Sequence, residues 1–432
     1  TINDKRFNWC FKTEKNKNVN NREILFPRGK GFGGSSSING HLYVRGQPDD
    51  YNQWSQLGNY GWSYDDILPY FKKSEFKENG SADTRGKDGP LFVSDIVEKH
   101  PICEEFIRGS RELDIKIQED YNSGDQEGIF YYQRTIKNGA RYSAYDAFLK
   151  TAIKRKNVDV KKNTMVLKII FEGKKAVGLV CEKNNKIFQI HANKEIILCA
   201  GAIGTPHLLQ VSGIGNFEHL NEIGVKPVHE NKNVGEGLQD HYAVRVSNRI
   251  NLPNSLNEKA SGYKLALEII KWFMFRKGLI SYSPAHVGAF LKSSPEIDFP
   301  DLQFVFTPAS YTEGMIGKLQ DHPGITCGVW QSRPQSRGYI RATSNNIKID
   351  PIIQPNYLKE KIDQDILIEG VKMCRKLLKT SNIEKISVNE TLPGEHVKTN
   401  NEILNFVRNN GATVYHAIGS CKMGVDQSAV VN

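Results

Sequence analysis

Residues 195–215 have the sequence E-I-I-L-C-A-G-A-I-G-T-P-H-L-L-Q-V-S-G-I-G, and they indicate the fold class better than any other part of the chain. The apolar run 195–200 is typical of a buried strand, and Gly201 interrupts it. Thr205 is suited to cap a helix and Pro206 to begin it, because proline fits the first helical position. A strand, a glycine turn and a helix start predict an α/β unit whose free N–H groups can face an anion. An ordinary strand-to-helix connection has the same pattern and stays open at this point.

A second glycine-rich stretch covers residues 29–40, G-K-G-F-G-G-S-S-S-I-N-G. Gly29, Gly31 and Gly34 satisfy the dinucleotide pattern G-x-G-x-x-G. That motif should follow a buried strand and open an apolar helix, whereas here Pro27 precedes it and a polar stretch follows. Two interpretations stay open: a loop of small residues, or a backbone that packs closely against a flat ligand and bonds its polar edge.

A third stretch, Y-H-A-I-G-S-C at 415–421, contains His416 between small and apolar residues. A lone histidine in such a setting is usually structural. The residue alone therefore does not predict a catalytic role.

Taken together, the three stretches resemble the signatures of the glucose–methanol–choline (GMC) oxidoreductases, flavoenzymes that oxidise alcohols. Residues 201–215 fit their pattern at every specified position, and residues 29–40 depart from theirs only at Phe32. The stretch 233–241, N-V-G-E-G-L-Q-D-H, also resembles a family segment, one that closes the first cofactor portion. The order and spacing of these stretches extend the resemblance over nearly the whole chain.

The resemblance implies that FAD lies between a cofactor domain and a substrate domain, and that an alcohol or sugar gives hydride to the flavin N5. It makes His416 the catalytic residue that accepts the hydroxyl proton, a role that suits a group titrating near neutral pH. His41 lies past the position where some members attach flavin covalently, so no such link is expected. Val166 is expected to meet the adenine through its backbone. The residues expected to line the cofactor are Gly31, Gly33, Gly34, Ser35, Asn39, Gly40, His41, Leu42 and Val166.

The lysine-rich style of the chain is most similar to the insect glucose dehydrogenase branch, with oxygen or a quinone as electron acceptor. The alternative from another class is a catalytically inactive relative that acts as a binding or secreted structural protein, since fold does not imply function. A serine hydrolase is excluded because the chain has no G-x-S-x-G elbow. A nicotinamide dehydrogenase is disfavoured by the context of residues 29–34.

The expected fold class is α/β plus α+β: a doubly wound FAD-binding domain without its N-terminal β-α-β unit, and a substrate domain with a mostly antiparallel sheet covered by helices. The expected domains are an FAD-binding part at 1–245 with substrate-side insertions at 76–150, a substrate-binding part at 246–400, and a return to the FAD domain at 401–432. Both ends look truncated, and a second active-site His or Asn is expected beyond residue 432.

Local patterns predict individual elements. Helices are expected at 65–71 with a cap near Ser63, at 143–149, and at 362–378. Strands are expected at 164–171, 176–180 and 186–190 with turns between them, and at 302–306 and 338–341. The hydrophobic window 265–275 contains Glu268 and Lys271 and is too short to span a membrane, so a mostly buried helix is expected and membrane association is not. A helix that faces a membrane or a partner is the alternative for this window.

The composition is that of a globular protein, with 432 residues, 39% hydrophobic and 25% charged. The net charge is +10, but the lysines are scattered, which argues against nucleic-acid binding. Seven cysteines show neither C-x-x-C nor zinc spacing, so no metal site is expected, and Cys199 and Cys421 are expected to be buried thiols. Sequons at Asn79 and Asn389 favour an extracellular, secreted protein.

Overall fold

The computed structural model describes residues 2–252, 255–312 and 317–432. The strands are β1 Phe11–Lys12, β2 Leu25–Phe26, β3 Glu75–Phe76, β4 Leu91–Phe92, β5 Gly128–Tyr131, β6 Ile136–Lys137, β7 Ala140–Arg141, β8 Met165–Glu172, β9 Lys175–Lys183, β10 Lys186–His191, β11 Ile214–Gly215, β12 His229–Glu230, β13 Glu236–Leu238, β14 Tyr242–Ile250, β15 Val287–Leu291, β16 Leu302–Thr307, β17 Gly324–Gln331, β18 Gly338–Arg341, β19 Ile352–Gln354, β20 Ser387–Leu392 and β21 Ala412–Thr413. The helices are α1 Pro48–Gln56, α2 Tyr64–Ser74, α3 Pro101–Gly109, α4 Lys150–Ala152, α5 Gly201–Val211, α6 Phe217–Glu222, α7 Leu256–Lys259, α8 Gly262–Phe275, α9 Lys361–Leu378, α10 Ser381–Glu384 and α11 Asn400–Asn410.

A seven-stranded antiparallel sheet forms the centre of the molecule, in the order β20-β14-β17-β16-β15-β5, with β21 paired to the start of β14. Every residue of β17 is buried, because one face carries the main core and the other is also covered. The expected antiparallel substrate sheet is confirmed. It also includes β5 and β21, so chain segments from both sides of residues 246–400 contribute strands.

Helix α9 packs across this sheet, as the apolar spacing of residues 362–378 predicts. Its buried residues include Leu367, Val371 and Cys374 on one face. Gly370 lies where the helix meets the sheet: a Cβ there would be 2.9 Å from a methyl group of Val329. The absence of a side chain at this position therefore allows the close approach of helix and sheet.

The expected meander is confirmed as a three-stranded antiparallel sheet of β8, β9 and β10. Gly173 has φ +60°, and Asn184 and Asn185 have φ +50° and +61°, so the turns use residues that tolerate the left-handed region. The strands expected at 302–306 and 338–341 are also present as β16 and β18, and β18 pairs with β13 and β19 in a separate sheet. Helix α2 begins at Tyr64 with Ser63 as its cap, and residues 145–149 form a π-helical turn that leads into α4.

The prediction of a buried strand at residues 195–200 is wrong, because in the part of the chain that the structure describes these residues form no strand. Among the described residues, parallel pairing consists of the two-residue strand pairs β3–β4 and β11–β12 and two isolated bridges, so residues 195–200 have no parallel sheet to join. Ile197 is exposed and Cys199 is exposed, whereas the pattern predicted burial. Cys421 is half-buried, so the prediction of a buried thiol is wrong for this residue as well.

Helix α5 begins earlier than predicted, at Gly201 rather than beside Thr205, with Ala200 at the cap position. Pro206 therefore lies inside the helix and cannot donate to the carbonyl of Ala202 one turn before it. The hydroxyl of Ser420 donates to that carbonyl instead, at 2.6 Å. This bond satisfies the acceptor and makes the early helix start possible.

Helix α8 contradicts the prediction of a mostly buried helix for residues 265–275. None of its residues is buried, and it is attached to the body of the protein by one narrow face. None of the helices within residues 2–252, 255–312 and 317–432 is long and apolar enough to cross a lipid bilayer.

Candidate active site

The three motif stretches converge on the segment that holds His416. The Arg28 guanidinium, just before the first stretch, donates to the Tyr415 carbonyl at 2.8 Å. The Ser420 hydroxyl donates to Ala202 of the second stretch at 2.6 Å. The fold therefore brings together residues that are far apart in sequence.

The segment 233–241 lies against the same turn. Gln239 and Ile418 exchange two backbone hydrogen bonds of 2.9 Å, and the Gly235 N–H donates to the Ser420 carbonyl at 2.8 Å. This pairing places Asp240 and His241 directly beside His416. Neither residue was among the predicted site residues, although the resemblance of 233–241 to a family segment was a signal that could have indicated them.

Asp240 holds the backbone of the turn that carries His416. It is 5% exposed, and its Oδ1 accepts the His416 N–H at 2.7 Å. Its Oδ2 accepts the hydroxyls of Tyr357 and Thr413. Burial raises the pKa of Asp240, and the hydrogen bonds from Thr413 and Tyr357 oppose that rise.

The turn itself has an unusual backbone, because Tyr415 adopts φ +70°. A bulky side chain is disfavoured in this region, so neighbouring contacts must hold it there. The Tyr415 N–H donates to the Thr413 hydroxyl oxygen at 2.7 Å, and Arg28 binds its carbonyl. Both peptide groups of Tyr415 are therefore fixed, and the position of His416 follows from them.

A chain of hydrogen bonds runs from His416 through His241 to a backbone carbonyl. His241 Nε2 lies 2.8 Å from the Ser332 carbonyl oxygen, and His241 Nδ1 lies 2.9 Å from His416 Nδ1. A carbonyl oxygen can only accept, so His241 Nε2 carries the hydrogen and, in the neutral ring, His241 Nδ1 is the acceptor. His416 Nδ1 must then donate. The unprotonated nitrogen of His416 is Nε2, which is available to accept a proton from a ligand.

The surroundings of His416 keep its ring neutral. Burial, followed by nearby His241 and Arg28, lowers the pKa of His416 to about 3, which differs from the near-neutral titration that its expected role assumes. The side chain nevertheless keeps a solvent-accessible side. Burial also lowers the pKa of His241. Trp330 lies 6.2 Å from the His416 ring between centroids, and its buried indole N–H has no acceptor among the described residues.

The first stretch presents bare backbone. Gly31 has φ +121° and Gly34 has φ +53°, and a Cβ at either would meet nothing within 4 Å. Gly33 begins a tight turn over 34–37, and Ser35 accepts the Gly29 N–H through its hydroxyl oxygen at 3.1 Å. Phe32, the one departure from the family pattern, stacks on Tyr145 with centroids 5.2 Å apart. The aromatic ring is therefore accommodated by packing.

The rest of the predicted cofactor segment is fixed by Arg141, which donates to Asn39 Oδ1 at 2.7 Å and to its carbonyl at 2.8 Å. Gly40 lies against Pro284, where a Cβ would be 2.9 Å from the ring. His41 adopts φ +63°, and burial with Arg141 nearby lowers its pKa to about 4. Its buried Nδ1 has no partner among the described residues. Leu42 packs on the aromatic cluster around Tyr121.

Val166 lies in β8, opposite Cys181, at an irregularity in the strand register. It packs on the apolar cluster that contains Leu208 and Val211 of α5. The structure thus places Val166 beside the second motif stretch, and its contact with adenine stays a prediction.

The residues present fit a flat anionic cofactor. Gly201 at the start of α5 has φ +76° and an empty Cβ position, and no side chain caps the helix. Its free N–H groups suit a phosphate, and the bare backbone at Gly31 and Gly34 allows close approach of a ring system. His41 Nδ1 and the Trp330 indole N–H are buried polar groups that have no hydrogen-bond partner within residues 2–252, 255–312 and 317–432.

Comparison with known proteins agrees with this arrangement. The model of the N-terminal part of the family described as GMC oxidoreductase matches residues 12–243, and the model of its C-terminal part matches residues 334–432. The chain is 36% identical over 433 aligned residues to the "Oxygen-dependent choline dehydrogenase" of Brucella ovis, covering 100% of this chain and 78% of that protein. It is also 36% identical to the "Alcohol dehydrogenase [acceptor]" of Pseudomonas putida, with 100% and 78% covered.

Two solved structures have the same fold. Pyridoxine 4-oxidase from Mesorbium loti superposes with a TM-score of 0.88 at 25% identity, over 99% of this chain and 80% of that one. Formate oxidase superposes with a TM-score of 0.89 at 21% identity, over 97% and 79%, and this second likeness shows the fold alone.

Proposed function

The chain belongs to the GMC oxidoreductase family, whose cofactor is FAD, and we propose that it oxidises the CH–OH group of a small alcohol with His416 as the proton acceptor. The observation that carries this proposal is the hydrogen-bond chain that leaves His416 Nε2 unprotonated. Bound FAD supplies the redox chemistry by accepting hydride from the alcohol carbon.

The protein's contribution is to move and hold one proton. Hydride leaves an alcohol carbon more easily as the oxygen becomes alkoxide-like, and His416 Nε2 is placed to take the hydroxyl proton. The ring then becomes cationic, so its Nδ1–H bond to His241 becomes charge-assisted and stronger. The hydrogen bond exists before proton transfer, but its added strength arises only as the ring becomes cationic, and a gain confined to that stage accelerates a reaction.

The substrate class follows from the relatives, which carry the names of choline and alcohol dehydrogenases. We favour a small alcohol over a sugar on this ground, and membership of the glucose dehydrogenase branch is the runner-up. The electron acceptor is oxygen or a quinone. The name of the choline dehydrogenase relative specifies oxygen, and the name of the alcohol dehydrogenase relative leaves its acceptor unspecified.

Anaerobic rapid mixing of the FAD-loaded protein tests the proposal. Choline, pyridoxine, simple alcohols and glucose are mixed in turn, and flavin bleaching is followed. At least one alcohol should bleach the flavin. His416→Ala should lower that rate by about 10²–10⁴-fold while FAD stays bound. The matched control His191→Ala, at the exposed end of β10, should not.

Two results would overturn the proposal. If His416→Ala bleaches within a few-fold of the parent protein, another group is the base. If no compound of the series bleaches bound flavin, the catalytically inactive alternative explains the protein better.

An extracellular location is a further proposal, supported by the exposure of both sequon asparagines, Asn79 and Asn389. Expression in a secreting eukaryotic host should give a mass that falls on treatment with a glycan-removing amidase. An unchanged mass would count against it.

A further inference from the structure

Helix α8 presents an apolar stripe to solvent. Tyr263, Leu267, Ile270 and Met274 recur with spacings of four, three and four residues, so they share one face of the helix. They are 74%, 57%, 52% and 68% exposed, and Phe273 beside them is 67% exposed. Tyr263 and Phe273 alone, with side chains of about 150–250 Å² each, contribute roughly 200–350 Å² of exposed surface.

The opposite face of α8 is the one that attaches to the protein. The Trp272 indole N–H donates to the Gly139 carbonyl at 2.7 Å, and Glu268 accepts the Leu279 N–H at 2.7 Å. Lys271 lies 3.4 Å from Glu98. The orientation of the helix is therefore fixed, and the stripe faces outward because the polar contacts hold the other face.

The apolar surface continues beyond the helix. Phe275 is 61% exposed and Ile280, just after the helix, is 44% exposed. Val97 is also exposed, and the next residue, Glu98, accepts the Gly278 N–H at 2.9 Å, which places Val97 beside the end of α8. Several large apolar side chains exposed on one helix and near its end usually mark an interaction site.

The charges around the stripe identify the occupant. Lys264 and Lys277 are exposed and have no carboxylate partner among the described residues, and Arg276 lies over Trp272. The one acid on the helix, Glu268, is occupied by a backbone N–H on the attached face. Two copies of the chain docked through this stripe would bring the lysines of both together, which is unfavourable. An anionic surface is favourable, and the net charge of +10 would steer the chain toward it.

We infer that α8 docks on the surface of an anionic lipid bilayer, with Tyr263, Leu267, Ile270 and Met274 inserted among the acyl chains and Lys264 and Lys277 at the headgroups. A helix with an outward apolar face and flanking lysines has the features of an interfacial helix. This inference goes beyond the proposed function and revises the expectation that the chain avoids membranes. It concerns docking on the surface, not crossing of the bilayer.

Vesicle sedimentation of the full chain tests the inference. The vesicles consist of phosphatidylcholine, with or without a one-third share of phosphatidylglycerol. The chain should pellet with the anionic vesicles and weakly or not at all with the neutral ones. Ile270→Ser with Met274→Ser should reduce the partition coefficient by about tenfold or more. The matched control, Ile187→Ser with Val388→Ser at exposed apolar positions elsewhere, should bind like the parent chain.

The charge contribution is tested separately. Lys264→Glu with Lys277→Glu should weaken binding by more than about fivefold per lysine, because each change removes a positive charge and adds a negative one, and high salt should remove the difference. Lys154→Glu with Lys156→Glu, a second exposed lysine pair, makes the control. All of these positions are exposed, so folding should be retained, and circular dichroism checks it.

Three outcomes would overturn the inference. The chain fails to pellet with anionic vesicles, or the Ile270→Ser, Met274→Ser variant binds as the parent does. The third is a dimer, seen by analytical ultracentrifugation, that this variant abolishes, because the stripe would then belong to a second copy.

Discussion

The hydrogen-bond chain at His416 makes a sharp prediction for His241. Replacing His241 by Phe keeps an aromatic ring beside Trp330 but removes the acceptor at 2.9 Å from His416 Nδ1. His416 is then free to carry its hydrogen on either nitrogen, and Nε2 is no longer the only basic one. His241→Asn is the conservative control, because its side-chain oxygen can stand near the former Nδ1 and accept the same hydrogen bond.

The magnitude follows from two effects on His416. A neutral hydrogen bond contributes about 0.5–1.5 kcal/mol, which corresponds to a preference of roughly 2- to 13-fold for the productive tautomer. Once the ring is cationic, the same bond contributes about 1.5–3 kcal/mol, and its loss costs about 10- to 150-fold in rate. His241→Phe should therefore slow flavin reduction by about 10- to 100-fold, and His241→Asn by no more than a few-fold.

Two measurements check this. Anaerobic rapid mixing gives the rate of flavin reduction, and FAD content should stay that of the parent protein in both variants. Nitrogen-15 NMR of the histidine-labelled protein identifies the tautomer: the parent should show His416 protonated on Nδ1, and His241→Phe a mixture. A phenylalanine variant that keeps both the rate and the single tautomer would refute the reasoning, since something other than His241 would be setting the proton.

Three further predictions follow from other parts of the structure. Asp240→Ala leaves three donors without their acceptor, the buried hydroxyls of Tyr357 and Thr413 and the part-buried N–H of His416, and should lower the free energy of unfolding by about 3 kcal/mol in urea titration. Asp426→Ala, at an exposed carboxylate that also accepts a serine hydroxyl, should change it by less than about 0.5 kcal/mol. Gly34 and Gly173 have similar φ, +53° and +60°, and an added Cβ would meet no atom at either position. Gly34→Ala and Gly173→Ala should therefore each lower the free energy of unfolding by about 1 kcal/mol. Calorimetry should find weaker FAD binding only for Gly34→Ala, and equal affinities of the two variants would exclude Gly34 from the cofactor site. Burial, with His100 and Arg134 nearby, lowers the pKa of His286 to about 3, so its contribution to stability is complete above the ordinary pKa of 6.5 and falls as the pH drops toward 3. Between pH 8 and pH 5 this loss amounts to about 2 kcal/mol, and His286→Leu should remove it; a variant with the same acid sensitivity as the parent would show that His286 is protonated in the folded state.

Elements with a clear period could be predicted from the sequence. In the meander β8–β10, apolar and polar residues alternate along strands that are separated by turns rich in Gly and Asn. In α9 the apolar residues recur on one face. In both cases the local pattern agrees with the tertiary packing. Residues 195–200 have an equally apolar pattern and form no strand, because a strand exists only when it has a partner, and no pattern within the segment supplies one. The prediction of a buried α8 was wrong for a related reason. The apolar residues of a helix indicate that its surface will be covered, but they do not indicate that other parts of the same chain cover it.

The site was predicted in part. The resemblance indicated His416 and the glycines at Gly31 and Gly34, and the structure brings the three motif stretches together. Asp240 and His241 were missed, because their roles depend on a turn formed far along the chain. Ser332 could not have been found from sequence at all, since it acts through its backbone carbonyl, which every residue has.

That carbonyl has a consequence for where the proton can travel. A peptide oxygen accepts a hydrogen bond but cannot take up a proton, so the chain from His416 through His241 is closed at its inner end. His241 could only receive the proton by becoming a buried cation, and burial already lowers its pKa. Under the proposed role of His416, a proton taken from the substrate would leave through the solvent-exposed side of His416 and not through His241. Each turnover would then have to release its proton on that side before the next could begin.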